Sequence, residues 1–150
     1  MNKEEYAVSK VAIVYWSGTG NTEAMAKAIE EGAKAAGADV SLLEVESFRA
    51  STTPEYDGLL FGCPAMGDEV LEEGSFEPVF TDAEKHLSGK PVALFGSYGW
   101  GGGAWMESWV ERTQGDGAKL FSDGLIVENA PGDEELAACR KLGEDFVKSL

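Results

Sequence analysis

Basic side chains are scarce in this chain: 12 Lys and Arg stand against 27 Asp and Glu, for a formal net charge of −15. A field of that sign repels nucleic acid and anionic membrane and draws basic protein patches, although acidity also serves solubility alone. Long hydrophobic runs are missing, and none approaches the ~20 apolar residues of a membrane-spanning helix. The start, Met1–Lys10, is polar and mixed in charge, without the apolar centre or cleavage pattern of a signal peptide. Two cysteines, Cys63 and Cys139, form neither a disulfide framework nor a metal-ligand pattern. The single histidine, His86, falls at the polar end of a predicted helix and is given no role. These absences lead us to expect a cytoplasmic monomer without nucleic-acid or membrane partners. A length of 150 residues fits one domain, with residues 1–9 as an N-terminal extension.

What is present is an alternation. Val11–Trp16 (VAIVYW) is a continuous apolar, β-branched and aromatic run and reads as a buried strand. Thr22–Ala36 follows as a helix with Met25, Ile29, Gly32 and Ala36 on one face and Gly37 as a left-handed stop. Val40–Val45 and Gly58–Cys63 are the next strands, separated by a polar stretch containing Pro54. A helix over Phe76–Leu87, a strand over Val92–Gly96 and a helix over Ala104–Thr113 follow, the last with Trp105 and Trp109 facing inward. Lys119–Val127 holds one or two strand pieces around Asp123-Gly124. Asp133–Leu150 closes the chain as a helix with Leu136, Cys139, Gly143 and Phe146 on its apolar stripe. Strands without polar alternation, interleaved with helices, predict an α/β fold: a doubly wound five-stranded parallel sheet in the order 2-1-3-4-5. In that order a ligand sits between the first and third strands, at their C-terminal ends. The loops starting at Ser17, Pro64 and Ser97 meet there.

The first of these loops, Ser17-Gly18-Thr19-Gly20-Asn21-Thr22, joins a buried strand to a helix start. Its glycines let several backbone N–H groups point into one concavity, at the positive end of the helix dipole. Three hydroxyls and the Asn21 amide add side-chain donors. No Lys or Arg occurs from Val11 to Ala26, so a phosphate here is held by neutral groups. A triphosphatase loop is ruled out because its lysine and spacing are missing. A dinucleotide fingerprint is ruled out too, since Glu23 stands where the third glycine belongs. Helix capping by Thr or Asn accounts for some of the polar residues, but the density of donors favours a phosphate monoester.

The second loop reads CPAMGDEVLEEG from Cys63 to Gly74, and the third SYGWGGG from Ser97 to Gly103. Met66 offers a polarizable side chain, while Tyr98 and Trp100 offer flat faces among glycines. A planar tricyclic ring fits between Met66 and Trp100, although each taken alone also fits a purely structural part. Cys63 lacks a His or Lys nearby that would activate it and reads as buried packing.

With the three loops together, the sequence resembles the flavodoxins, specifically the short-chain type of anaerobic bacteria. VYWSGTGNTE (Val14–Glu23), GCPAMGDEVLEEGSFEP (Gly62–Pro78) and PVALFGSYGWGGGAWM (Pro91–Met106) carry the resemblance, in order and each at a strand end. The resemblance implies a flavodoxin-like fold and non-covalent FMN, with the phosphate held by Ser17 to Thr22. It implies that Met66 covers the inner face of the isoalloxazine and Trp100 the outer. Gly67-Asp68 resembles the peptide that flips on reduction, and Glu69 the carboxylate that accepts a hydrogen bond from flavin N3. Ala65, Ser97, Tyr98, Gly99 and Gly101 match positions around the ribityl chain and ring.

The implied function is low-potential electron transport, with single electrons shuttled between semiquinone and hydroquinone. Asp68, Glu69, Glu72 and Glu73, together with the phosphate dianion, disfavour the reduced anion. The implied partners are redox proteins with basic docking patches: reductases and low-potential acceptors. Two features depart from or extend the pattern: residues 1–9, and Pro64, where a small or hydroxyl residue is also common. An alternative on the same fold is an FMN-dependent quinone reductase, which needs an open pocket over the ring. A phosphoacceptor receiver domain is excluded, because Ser17-Gly18-Thr19-Gly20 and Cys63-Pro64 stand where its acidic residues belong.

Overall fold

A computed structural model of the chain describes residues 8–67 and 69–150, so residues 1–7 of the expected extension and Asp68 lie outside the described residues. The strands are β1 Lys10–Tyr15, β2 Asp39–Glu44, β3 Gly58–Gly62, β4 Pro91–Tyr98, β5 Lys119–Leu120 and β6 Leu125–Glu128. The helices are α1 Asn21–Ala35, α2 Phe76–Ala83, α3 Ala104–Gly115 and α4 Asp133–Lys148. All strand pairs described are parallel, in the order β2-β1-β3-β4-β5, and β6 also pairs with β4. The expected order is present, with the fifth position in two pieces. β5 lies beside Pro91 and Val92, β6 beside Phe95 to Tyr98. Between them the chain turns at Ser122 (φ 62°) and Gly124 (φ 89°), which breaks the ladder.

Two smaller differences have local causes. The helix expected to reach Leu87 leaves α geometry after Ala83 and ends as a tighter turn over Glu84–His86, with His86 exposed. The polar stretch around Pro54, given no structure from the sequence, forms short 3-10 segments, Val45–Ser47 and Ala50–Glu55. Thr53 anchors the second of these, fully buried and donating its hydroxyl to the Ala50 carbonyl at 2.6 Å.

The central strands β1, β3 and β4 are buried along nearly their whole length because both faces of the sheet are covered there, while β2, β5 and β6 keep polar, partly exposed positions. Val11, Ile13, Leu60, Ala93 and Phe95 pack with α1 and α4 residues, among them Met25, Ile29, Cys139 and Phe146. Ala12, Val14, Leu59, Phe61 and Leu94 pack on the other face with Phe76, Phe80, Trp105 and Trp109. The two glycines expected on helix stripes meet their opposite helix. A Cβ on Gly32 would overlap the Arg140 carbonyl, and one on Gly143 the Ile29 carbonyl, so α1 and α4 touch backbone to backbone. Pinned in this way, α1 presents its N-terminus at the upper edge of β1, where the chain has just left the sheet.

Candidate functional site

The strand order reverses between β1 and β3, and their parallel ladder runs on past the strands. Trp16 N–H donates to the Gly62 carbonyl at 3.0 Å, Cys63 N–H to Phe95 at 3.2 Å and Ala65 N–H to Ser97 at 3.0 Å. The second loop is therefore laid along β4 before it leaves the sheet. A cavity of about 310 Å³ opens above, lined by Ser17, Gly18, Thr19, Asn21, Thr22, Pro64, Ala65, Met66, Ser97, Tyr98 and Gly99, with Trp16 and Asn129. All three loops predicted from sequence line this one space.

Ser17–Thr22 forms a cradle of hydrogen-bond donors. Gly20 takes φ 96°, a left-handed conformation that side chains resist, and so turns the chain into α1. Ser17 Oγ accepts the N–H groups of Gly20 (3.1 Å) and Glu23 (3.2 Å), capping part of the helix start. Among the described residues, the amides of Gly18, Thr19, Asn21 and Thr22 take part in no hydrogen bond. A helix start with free amides and no nearby cation suits a phosphate monoester.

Thr22 is buried and its Oγ1 lies 3.0 Å from Ser97 Oγ. The Ser97 N–H also reaches Thr22 Oγ1 at 3.4 Å. Either hydroxyl can donate to the other; when Ser97 donates, the Thr22 hydroxyl hydrogen is left for a ligand oxygen.

The ring-binding residues are placed less uniformly. Met66 is half-buried at the cavity wall, whereas Trp100 stands 68% exposed outside it. Glu69 N–H donates to the Met66 carbonyl at 2.8 Å, closing a tight turn between them. Among the described residues of that turn, Glu69 is left-handed (φ 57°), while Gly67 is exposed and a Cβ there would meet open space. Nothing in this conformation requires glycine at 67.

The Glu69 carboxylate accepts the Trp105 backbone N–H at 2.9 Å and occupies the space a Cβ on Gly101 (φ 84°) would need. Glu72 is similarly committed, accepting the N–H groups of Gly74, Ser75 and Phe76 at 2.9, 2.8 and 2.7 Å at the start of α2. Two of the four carboxylates counted as free negative field thus face helix N-termini, where the dipole offsets their charge. Cys63 is fully buried, its Sγ accepting the Glu72 N–H at 3.3 Å, and burial pushes its thiol up to about 12. It is packing, as its sequence context suggested.

Beside the phosphate loop lies a second space of about 350 Å³, lined by Ser17–Gly20 with Tyr15, Trp16, Glu23, Glu44 and Glu46. Burial, reinforced by its hydrogen bond to Glu23 (3.1 Å), pushes the Tyr15 phenol up to about 12, so it remains a neutral donor. Sequence reasoning passed over Trp16 and Asn129. Trp16 had been read as the end of a strand, though its position directly before the glycine loop is the signal. Asn129 directly follows β6, holds φ 61° and donates its N–H to the Tyr98 carbonyl at 2.7 Å, a contact no local pattern reveals.

The same arrangement exists in known proteins. The flavodoxin family model matches residues 13–143. A flavodoxin from Megasphaera elsdenii is 49% identical over 142 residues, covering 93% of this chain and 99% of its own. One from Clostridium beijerinckii is 48% identical over 135 residues, covering 90% and 97%. The solution structure of two-electron reduced Megasphaera elsdenii flavodoxin superimposes with a TM-score of 0.83 at 50% identity, covering 92% of this chain and 98% of that one. With sheet order, loop cradle and relatives in agreement over nearly the whole length, the chain belongs to the flavodoxin family.

Proposed function

We propose that this chain, an FMN-binding electron-transfer protein by its family, holds the cofactor with the residues of the three loops and works as a carrier rather than as an enzyme. Ser17, Gly18, Thr19, Gly20, Asn21 and Thr22 hold the phosphate; Ala65, Met66, Gly67, Asp68 and Glu69, with Ser97, Tyr98, Gly99, Trp100 and Gly101, hold the ribityl chain and ring. When bound, FMN supplies reversible uptake of one or two electrons, and the protein sets how favourable each step is. The observation that carries this reading is the cradle of four free amides at the start of α1, with no cation in the loop.

The loop amides orient the phosphate without neutralising it, so its charge remains felt at the ring. Met66 excludes water from one side, and the exposed Trp100 is available to cover the other. Gly67, which this conformation leaves sterically unconstrained, gives the turn freedom to present a carbonyl instead of an N–H to the ring edge. The net charge of −15 supports docking to basic patches on redox partners. Among the described residues no helix is long and apolar enough to cross a membrane. A monomeric, cytoplasmic, single-domain carrier is the form we propose.

Titration of the apoprotein with FMN, followed by flavin fluorescence, should show one tight site with emission quenched by Trp100. Stepwise reduction should then show two separated one-electron steps. Weak binding of FMN, or rapid steady-state quinone turnover with NAD(P)H alone, would overturn the carrier reading.

A further inference from the structure

Trp105 looked like core from its helical spacing, and it is 1% exposed on the α2–α3 face of the sheet. Its polar atoms do something the core does not require. The indole Nε1–H donates to the Cys63 carbonyl at 3.2 Å, and the backbone N–H donates to Glu69 Oε2 at 2.9 Å. Those two acceptors stand on either side of the Met66 turn. The Trp105 ring also lies against Tyr98, centroids 5.6 Å apart, and Tyr98 lines the cavity.

We propose that Trp105 is a positioning residue, bracing the Met66–Glu69 turn at both ends; this rests on the FMN reading above. Each end is independently stiff. Cys63 is tied to β4 through its N–H and accepts the Glu72 N–H on its sulfur. Glu69 holds a left-handed backbone, φ 57°, which a non-glycine side chain disfavours. Its carboxylate is received by an orphan amide of the first turn of α3 and by the gap at Gly101. Movement of the flavin-facing turn is thereby confined between two anchors held by one residue, and the third loop is registered against the second.

Two variants separate this from plain packing. Trp105→Phe keeps an aromatic ring and the backbone N–H but strips the Cys63 carbonyl of its donor. Glu69→Ala removes the other acceptor, while Glu69→Gln retains an oxygen that can accept the Trp105 N–H. A buried acceptor losing its donor corresponds to roughly a five- to tenfold change in an equilibrium. Trp105→Phe should therefore raise the FMN Kd about five- to tenfold and narrow the gap between the two one-electron potentials. In the apoprotein, hydrogen exchange at the Trp105 amide should accelerate about tenfold or more in Glu69→Ala and return close to the parent rate in Glu69→Gln.

A Trp105→Phe variant less stable to urea, yet unchanged in Kd and in potential gap, would reduce Trp105 to core. Equal exchange at Trp105 in the parent and Glu69→Ala would remove the second anchor. Failure of the parent to bind FMN would sink the functional reading instead, and the apoprotein exchange experiment would still decide the anchor.

Discussion

Thr22, in the first turn of α1, and Ser97, near the end of β4, face each other as a buried hydroxyl pair, 1% and 5% exposed and 3.0 Å apart. Removing one hydroxyl loses a hydrogen bond of net value near 1 kcal/mol and leaves the other group short of a partner, at a further cost of about 1–3 kcal/mol. Thr22 keeps a long contact from the Ser97 N–H at 3.4 Å, which softens the loss. Ser97→Ala should therefore lower the stability of the apoprotein by about 2 kcal/mol, measured by urea unfolding, and Thr22→Val, which also takes the acceptor from the Ser97 N–H, by about 2–4 kcal/mol. The double variant leaves no hydroxyl without its partner and should cost less than the sum of the two by about 1–2 kcal/mol.

Binding should separate what stability joins. Ser97→Ala should weaken FMN a few-fold, by loosening the loop. Thr22→Val also loses a donor to a charged phosphate oxygen, a bond of about 1.5–3 kcal/mol, so its Kd should rise by roughly ten- to a hundredfold. Strictly additive stabilities would refute the buried pair. Equal FMN affinities for the two single variants would refute the assignment of Thr22 as a phosphate donor.

Substituting Gly32 with Ala should destabilise the protein by about 2 kcal/mol in urea unfolding: the added methyl falls on the Arg140 carbonyl, and the gain of roughly 1 kcal/mol in helix propensity is outweighed. A variant as stable as the parent would disprove the backbone contact between α1 and α4. At the far end of α3, burial and then the adjacent Glu84 carboxylate push Asp116 up to about 7 from 3.8. The folded chain holds a proton there that the unfolded chain has released, so this group favours folding at low pH and its contribution is lost as pH rises through 7. Asp116→Asn should flatten the fall in Tm between pH 5 and 8, and an unchanged profile would place Asp116 in the ordinary carboxylate range.

Much of the architecture was legible because it rests on short-range chemistry. A run such as Val11–Tyr15, buried at every position, reads directly as a strand covered on both faces. The phosphate loop was legible for a similar reason: its donors are contiguous and its glycines mark where the backbone must curl. Topology then followed from alternation, since crossover helices leave few ways to order five strands.

The amino-acid sequence by itself determined the sheet order, the three loops and the absence of cations around the cradle, because each depends on neighbours along the chain. Only the tertiary structure decided how the carboxylates are used. Glu69 reads as one acid among several in its loop, yet its carboxylate meets the start of α3, 36 residues on, through a contact set by where that helix begins. It alone brought Asn129 to the cavity, and gave Trp105 two anchors, 36 and 42 residues away along the chain. Hydrogen bonds over such separations are fixed by packing geometry, and no local pattern of residue types encodes them.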